Sequence, residues 1–164
     1  MSAGLTAFTM FHVLLSLIGI ASGLVVGYGL LTDRRFDRWT ALFLVTTVAT
    51  SLSGYLFPFH RLLPSHILGI LSLIALAFAI YARYFRRLVG AWRRTYVITA
   101  VLSLYFNVFV LIVQLFEKLP SLRAIAPTQS EPPFKIAQLL VLLIFLAFGY
   151  LGARNFRTDQ PSDA

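Results

Sequence analysis

Three histidines, His12, His60 and His66, are the residues of this chain best suited to chemistry. A neutral imidazole nitrogen binds transition metals and supplies axial ligands to haem iron. His12 and His66 could hold one b-type haem edge-on between two helices, with Arg61, Lys118 or Arg123 pairing with its propionates. For a transition metal alone, Glu131 would add a carboxylate oxygen to the imidazoles. The spacing of the three histidines matches no specific ligand motif. A plainer reading competes with both. Histidine is at home where its polar tip stays wet, and the Pro64-Ser65 pair ahead of His66 has the form of a helix start capped by Ser65. Ser130 or Glu131 would likewise cap the last helix, with Pro132 and Pro133 in its first turn, where an amide donor is not needed. Alternatively, that segment would fold over the histidines as a lid.

A second group of residues bears on packing. Gly19, Gly23 and Gly27 recur every fourth position, which places them on one face of a helix as a groove that admits a neighbouring backbone. Thr46, Thr50 and Gly54 offer a matching small face. Asn107 stands amid apolar residues with Ser103 and Gln114 on its stripe. An amide in hydrocarbon needs a partner, so Asn107 is expected to bond across to another helix, with a solute path as the functional alternative. The chain has no cysteine, so disulfides, thiolate metal sites, iron–sulfur clusters and cysteine nucleophiles are excluded.

The elements that must position these residues follow from the placement of charge. Uncharged runs extend over Met1–Thr32, Trp39–His60, Leu62–Ala82, Thr95–Phe116 and Ile136–Ala153. Each has about 18 residues or more, enough to cross a ~30 Å hydrocarbon layer as a helix. Composition agrees: 59% of the 164 residues are hydrophobic and 12% charged, with mean hydropathy +0.82. A soluble domain is about a quarter charged and has too little interior to hide so much apolar surface. The expected fold is therefore an all-α integral membrane protein. Five transmembrane helices, approximately 8–31, 39–58, 65–86, 95–116 and 134–153, would form a compact bundle in a single membrane domain over residues 1–157. A disordered polar tail at 158–164 would follow.

Orientation rests on the cations. Ten arginines (34, 35, 38, 83, 86, 87, 93, 94, 154 and 157) fall on one side, against Arg61, Lys118, Arg123 and Lys135 on the other. The richer side is expected to be cytoplasmic, leaving the N-terminus outside, the C-terminus inside and all three histidines at the outer face of the cell membrane. Trp39 and Trp92 fall at the inner interface, which suits an indole. The net charge of +8 is thereby read as a topology signal that meets anionic lipid, and not as a nucleic-acid footprint.

In placing histidines between helices, His12, His60 and His66 resemble the ligands of b-type cytochrome membrane subunits. The chain departs from the two-haem members, because it has no ligand pairs at opposite faces. No nucleophile elbow, phosphate loop or mid-span charge accompanies the histidines. The function expected from the sequence is therefore that of a non-enzymatic accessory or partner-binding membrane subunit with a histidine-containing outer face, in contact with lipid and with other membrane subunits. The alternatives left open are an electron-transfer protein with an outer-side haem or metal, and a small-solute permease.

Overall fold

The computed structural model describes residues 3–57 and 64–157, and every regular element among them is helical. α1 runs from Ala3 to Thr32, α2 from Asp37 to Gly54, and α3 from Pro64 to Ile80. A single π turn, Tyr81–Phe85, continues α3. α4 spans Ala91–Lys118, α5 is a six-residue helix at Pro120–Ile125, and α6 spans Pro132–Asn155. Four of these, α1, α3 with its π turn, α4 and α6, are long and apolar enough to cross a membrane.

Element boundaries depart from the charge-free runs for local reasons. α2 closes at Gly54, short of residue 58, because the chain tightens there: the Tyr55 and Leu56 amides donate to the carbonyls of Leu52 and Ser53, three residues back. α4 starts at Ala91, ahead of residue 95, directly after Gly90, whose φ of +59° and ψ of −127° suit only glycine. Pro120 ends α4 and opens α5, an element that the sequence reading leaves as loop. The tail at 158–164 lies outside the described residues.

The helices form a ring with one outrider. α1 packs on α2, α2 on α3, α3 on α4, and α4 closes back onto α1; α6 lies on the seam between α1 and α4. The core follows this plan. Leu76 and Ala79 of α3, Val97, Ala100 and Leu104 of α4, Phe43 and Leu44 of α2, and Val26 and Leu30 of α1 meet in one buried cluster. Their outward neighbours, among them Leu24, Val45, Ile74, Ile98 and Leu143, remain exposed. Large apolar side chains therefore cover the outside of the bundle as well as filling it, the pattern of helices solvated by hydrocarbon.

α2 reverses the usual sorting. Its buried residues are Phe43 and Leu44 together with Thr40, Thr46, Thr47, Thr50 and Ser53, while Leu42, Val45 and Leu52 face outward. Thr40 and Thr46 donate to the carbonyls of Phe36 and Leu42, one turn back, so their hydroxyls are satisfied within the helix.

Candidate functional site

The end of α2 and the turn that follows it stand between the two described histidines. His12 of α1 lies 2.8 Å through Nδ1 from Ser53 Oγ, and its ring meets Phe57 edge-on at 5.2 Å between centroids. Phe8, one turn earlier, packs on the same Phe57 ring at 4.9 Å. The Ser53 hydroxyl also lies within donating reach of the Thr50 carbonyl, at 3.1 Å. When Ser53 gives its proton to Thr50, Nδ1–H of His12 must be the donor, which leaves the lone pair on Nε2. His66, at the start of α3, is buried against Tyr55 with ring centroids 5.6 Å apart, and the Tyr55 hydroxyl donates to the His66 carbonyl at 2.6 Å. Gly69 makes room for this phenol, since a Cβ there would stand 2.9 Å from the Tyr55 oxygen.

Ser53, Tyr55 and Phe57 thus hold the two imidazoles on separate neighbours, His12 against one side of this turn and His66 against another. α1 pairs with α2, and α2 with α3, so the ring of helices sets α2 between the two histidine-bearing helices. His60 and Arg61 lie outside the described residues. Among the described residues, no group of three or more His, Asp or Glu side chains converges as a metal cage would require.

Glu131 occupies the N-cap position of α6, where its carbonyl accepts the Lys135 amide but its side chain makes no bond to the helix. Its carboxylate turns back and accepts from the Thr128 amide and hydroxyl and from the Ser130 amide, at 2.8 to 3.2 Å. Pro132 and Pro133 explain this, because the first two helical positions carry no N–H for a cap to satisfy. Desolvation pushes the Glu131 pKa up, but the hydrogen bonds from Thr128 and Ser130 together outweigh it and leave the group below its ordinary value. The loop docks on its own helices: Gln129 Nε2 donates to the Val113 carbonyl at 3.1 Å, and α5 packs on α4. Lys118 pairs with Glu117 at 3.1 Å on the exposed surface.

In mid-bundle, the glycines of α1 each receive a different neighbour. A Cβ at Gly19 would stand 3.2 Å from Thr47 Oγ1 and 3.5 Å from Asn107 Nδ2; one at Gly23 would stand 2.6 Å from Leu104 Cδ1 and 2.9 Å from Phe43 Cδ2; one at Gly27 would collide with the Phe148 ring. The stripe is a groove shared by α2, α4 and α6, and it brings their side chains onto the α1 backbone. Asn107 Nδ2 donates across it to Thr47 Oγ1 at 3.3 Å. Ser103 donates to the Thr99 carbonyl of its own helix, and Gln114 is exposed. Beside Gly23, the space between Phe43, Leu104 and Phe148 has no room for a water molecule.

The arginine-rich end holds an arrangement that reading cations as topology signals misses. Arg83 belongs to the π turn, yet it is buried, ion-paired with Asp37 at the start of α2, and its guanidinium lies 5.3 Å from the centre of the buried Tyr96 ring. Burying a guanidinium requires a carboxylate or an aromatic face, and Arg83 has both. Arg93 donates to the Phe156 carbonyl just beyond α6, the Arg157 amide donates to Asp33 at 2.5 Å, and Asn155 donates to the Leu31 carbonyl at 3.2 Å. Arg86 stacks on Trp92 at 5.3 Å. One signal was present in the sequence: Asp33 and Asp37 are the two acids flanked by arginines, and the expected topology puts Asp37 on the same face as Arg83. No protein-family model, curated protein or solved structure matches the chain.

Proposed function

We propose that this chain is a five-span protein of the cell membrane, with its N-terminus outside and its C-terminus in the cytoplasm, that serves as a non-enzymatic accessory subunit to other membrane proteins. The fifth span is α2. Its 18 residues reach about 27 Å. Its low hydropathy comes from threonines and a serine that face α1 and the bundle interior, while Leu42, Val45 and Leu52 meet the outside. A helix sorted in this way is compatible with lipid on its outer face.

The observation that carries the accessory role is α6. This 24-residue apolar helix buries only Gly152, and Ile136, Leu139, Leu140, Leu143, Ile144 and Leu146 all face outward. It is held by the Phe148–Gly27 contact and by Gly149 and Gly152 against Val101 and Val97. Phe145 on Tyr105, Phe134 on Phe116 and Gln138 on the Phe109 carbonyl complete its hold on α4, and the outward face is open to a helix of another subunit. Three polar groups inside the spans support the same reading, because Asn107 donates to Thr47 and Ser103 to its own backbone, and both bonds serve the packing.

The absence of cysteine makes the topology directly testable by single substitutions and a membrane-impermeant maleimide. Leu56→Cys and Thr128→Cys should label from outside intact cells, and Thr32→Cys only after permeabilisation. If Thr32→Cys and Leu56→Cys label from the same side, α2 does not cross. For the accessory role, a photo-crosslinker at Leu143 of α6 should capture a protein in native membranes, and one at Ile70 of α3 should capture lipid. Lipid adducts alone at both positions would sink it.

A further inference from the structure

The interface of α1, α2, α3, α4 and the end of α6 leaves a small gap at the arginine-rich end, lined by Arg34, Arg35, Arg83, Thr40, Tyr96 and Phe156. It has room for about one oxygen-sized group. Three guanidinium-bearing residues around one opening repel one another unless negative charge intervenes. The acids of this end are already engaged. Asp37 is ion-paired with Arg83, and Asp33 accepts the Arg157 amide. Arg35 is left with a buried Nε–H that has no acceptor, and a buried donor of this kind is costly until something accepts from it.

What the gap lacks is an acceptor for the Arg35 Nε–H. We propose that it takes one oxygen of a phosphate group, which accepts a hydrogen bond from Arg35 Nε, with the remaining oxygens lying over Arg34 at the mouth. Arginine suits this role, because its planar fork donates in pairs to phosphate oxygens. The place suits it too: the gap lies where apolar helices give way to polar connections, which is headgroup depth if those helices span a bilayer as proposed, and basic pockets between membrane helices hold anionic headgroups. A phospholipid headgroup and free inorganic phosphate present the same oxygen. The site does not depend on what α6 contacts, nor on which side of the membrane it faces.

The test uses delipidated full-length protein in a non-ionic detergent. Native mass spectrometry would measure retention of phosphatidylglycerol or phosphatidic acid against phosphatidylcholine, whose choline cation the arginines repel. Thermal unfolding would be followed in parallel with inorganic phosphate against chloride at equal ionic strength. Arg35→Gln and Arg34→Gln should each weaken binding about tenfold, the effect of losing a charge-assisted hydrogen bond. Arg154→Gln, exposed at the same end but outside the gap, should leave it unchanged. Preference for the anionic lipids with this variant pattern identifies a headgroup as the source. A stabilisation by inorganic phosphate that Arg35→Gln and Arg34→Gln abolish, without lipid preference, identifies the free anion. Equal loss in Arg154→Gln means diffuse surface attraction, and no preference for any phosphate carrier means that the gap takes only water; either result overturns the proposal. Should Arg35→Gln fail to fold, Arg34→Gln decides, since Arg34 is exposed.

Discussion

The Arg83–Asp37 pair should respond very unequally to loss of one partner or the other. The Arg83 side chain is 6% exposed and that of Asp37 is 41% exposed. Asp37→Asn leaves a guanidinium inside the bundle with no counter-charge, facing a neutral amide oxygen, the Tyr96 hydroxyl and the Tyr96 and Tyr84 rings. Breaking a fully buried pair this way costs about 3–5 kcal/mol; because Asp37 is half in water, about 2–3 kcal/mol is expected here. Arg83→Met removes the buried charge and keeps much of the stem's packing, and water can hydrate the Asp37 carboxylate that remains. That variant should cost about 1 kcal/mol, mostly a lost cation–π contact. The double variant should then be more stable than Asp37→Asn alone, a coupling of about 2 kcal/mol. Reversible unfolding by titration of sodium dodecyl sulfate into mixed micelles measures all four proteins, with helicity reporting the whole bundle. Tryptophan emission from Trp39 and Trp92 reports the arginine-rich end. Equal single costs with an additive double variant, or Arg83→Met as the more damaging change, would refute the reasoning.

Three further outcomes are expected. Gly27→Ala should cost about 1–3 kcal/mol in the same titration, because the new methyl meets the Phe148 ring and forces α6 away from α1; Gly4→Ala, with open space around it, should be neutral. Asn107→Leu should cost less than about 1 kcal/mol, since one interhelical bond to Thr47 is worth about 0.6 kcal/mol on average; loss of a transport activity in a stable Asn107→Leu protein would instead show that the stripe is a solute path. Glu131, with its pKa below the ordinary value in the folded loop, adds stability above its unfolded pKa, and that contribution disappears as the pH falls through the lower, folded value. Protection against hydrogen exchange at the Thr128 and Ser130 amides, taken relative to the intrinsic rate at each pH, should therefore fall on acidification in the natural chain and already be low at neutral pH in Glu131→Gln.

What could be read from the sequence was whatever depends on one helix at a time. Runs without charge locate the long apolar helices, because hydrocarbon makes no exception for an unpaired charge. The four-residue spacing of Gly19, Gly23 and Gly27 specifies a groove, since helical geometry alone puts those positions on one face. What fills the groove was not legible. That Phe148 enters at Gly27, and Thr47 with Asn107 at Gly19, depends on which helices become neighbours. Arg83 illustrates the limit most sharply. The sequence presents it as one of five arginines in a short basic segment, whereas the π turn, closed by the Arg86 amide on the Tyr81 carbonyl at 3.0 Å, sets it among buried residues beside Asp37, 46 positions away. The sequence groups the histidines at one face, but which side chains stand between His12 and His66 is decided by how the chain closes α2.

The polarity of α2 also bears on how the protein is made. A nascent helix leaves the insertion machinery into lipid, where Thr47 and Thr50 would face hydrocarbon without a partner. α1 covers that face, and only the four residues 33–36 join the two helices, so if α2 crosses as proposed they should enter the bilayer together as a hairpin. The hydroxyl of Thr47 still waits for Asn107, which is synthesised 60 residues later. Until α4 arrives, the hairpin is an unfinished intermediate, exposed to membrane chaperones and quality-control proteases. Truncations that end before α4 should therefore be degraded rather than accumulate, and the Thr47–Asn107 contact would mark the point at which synthesis hands over a protein able to persist.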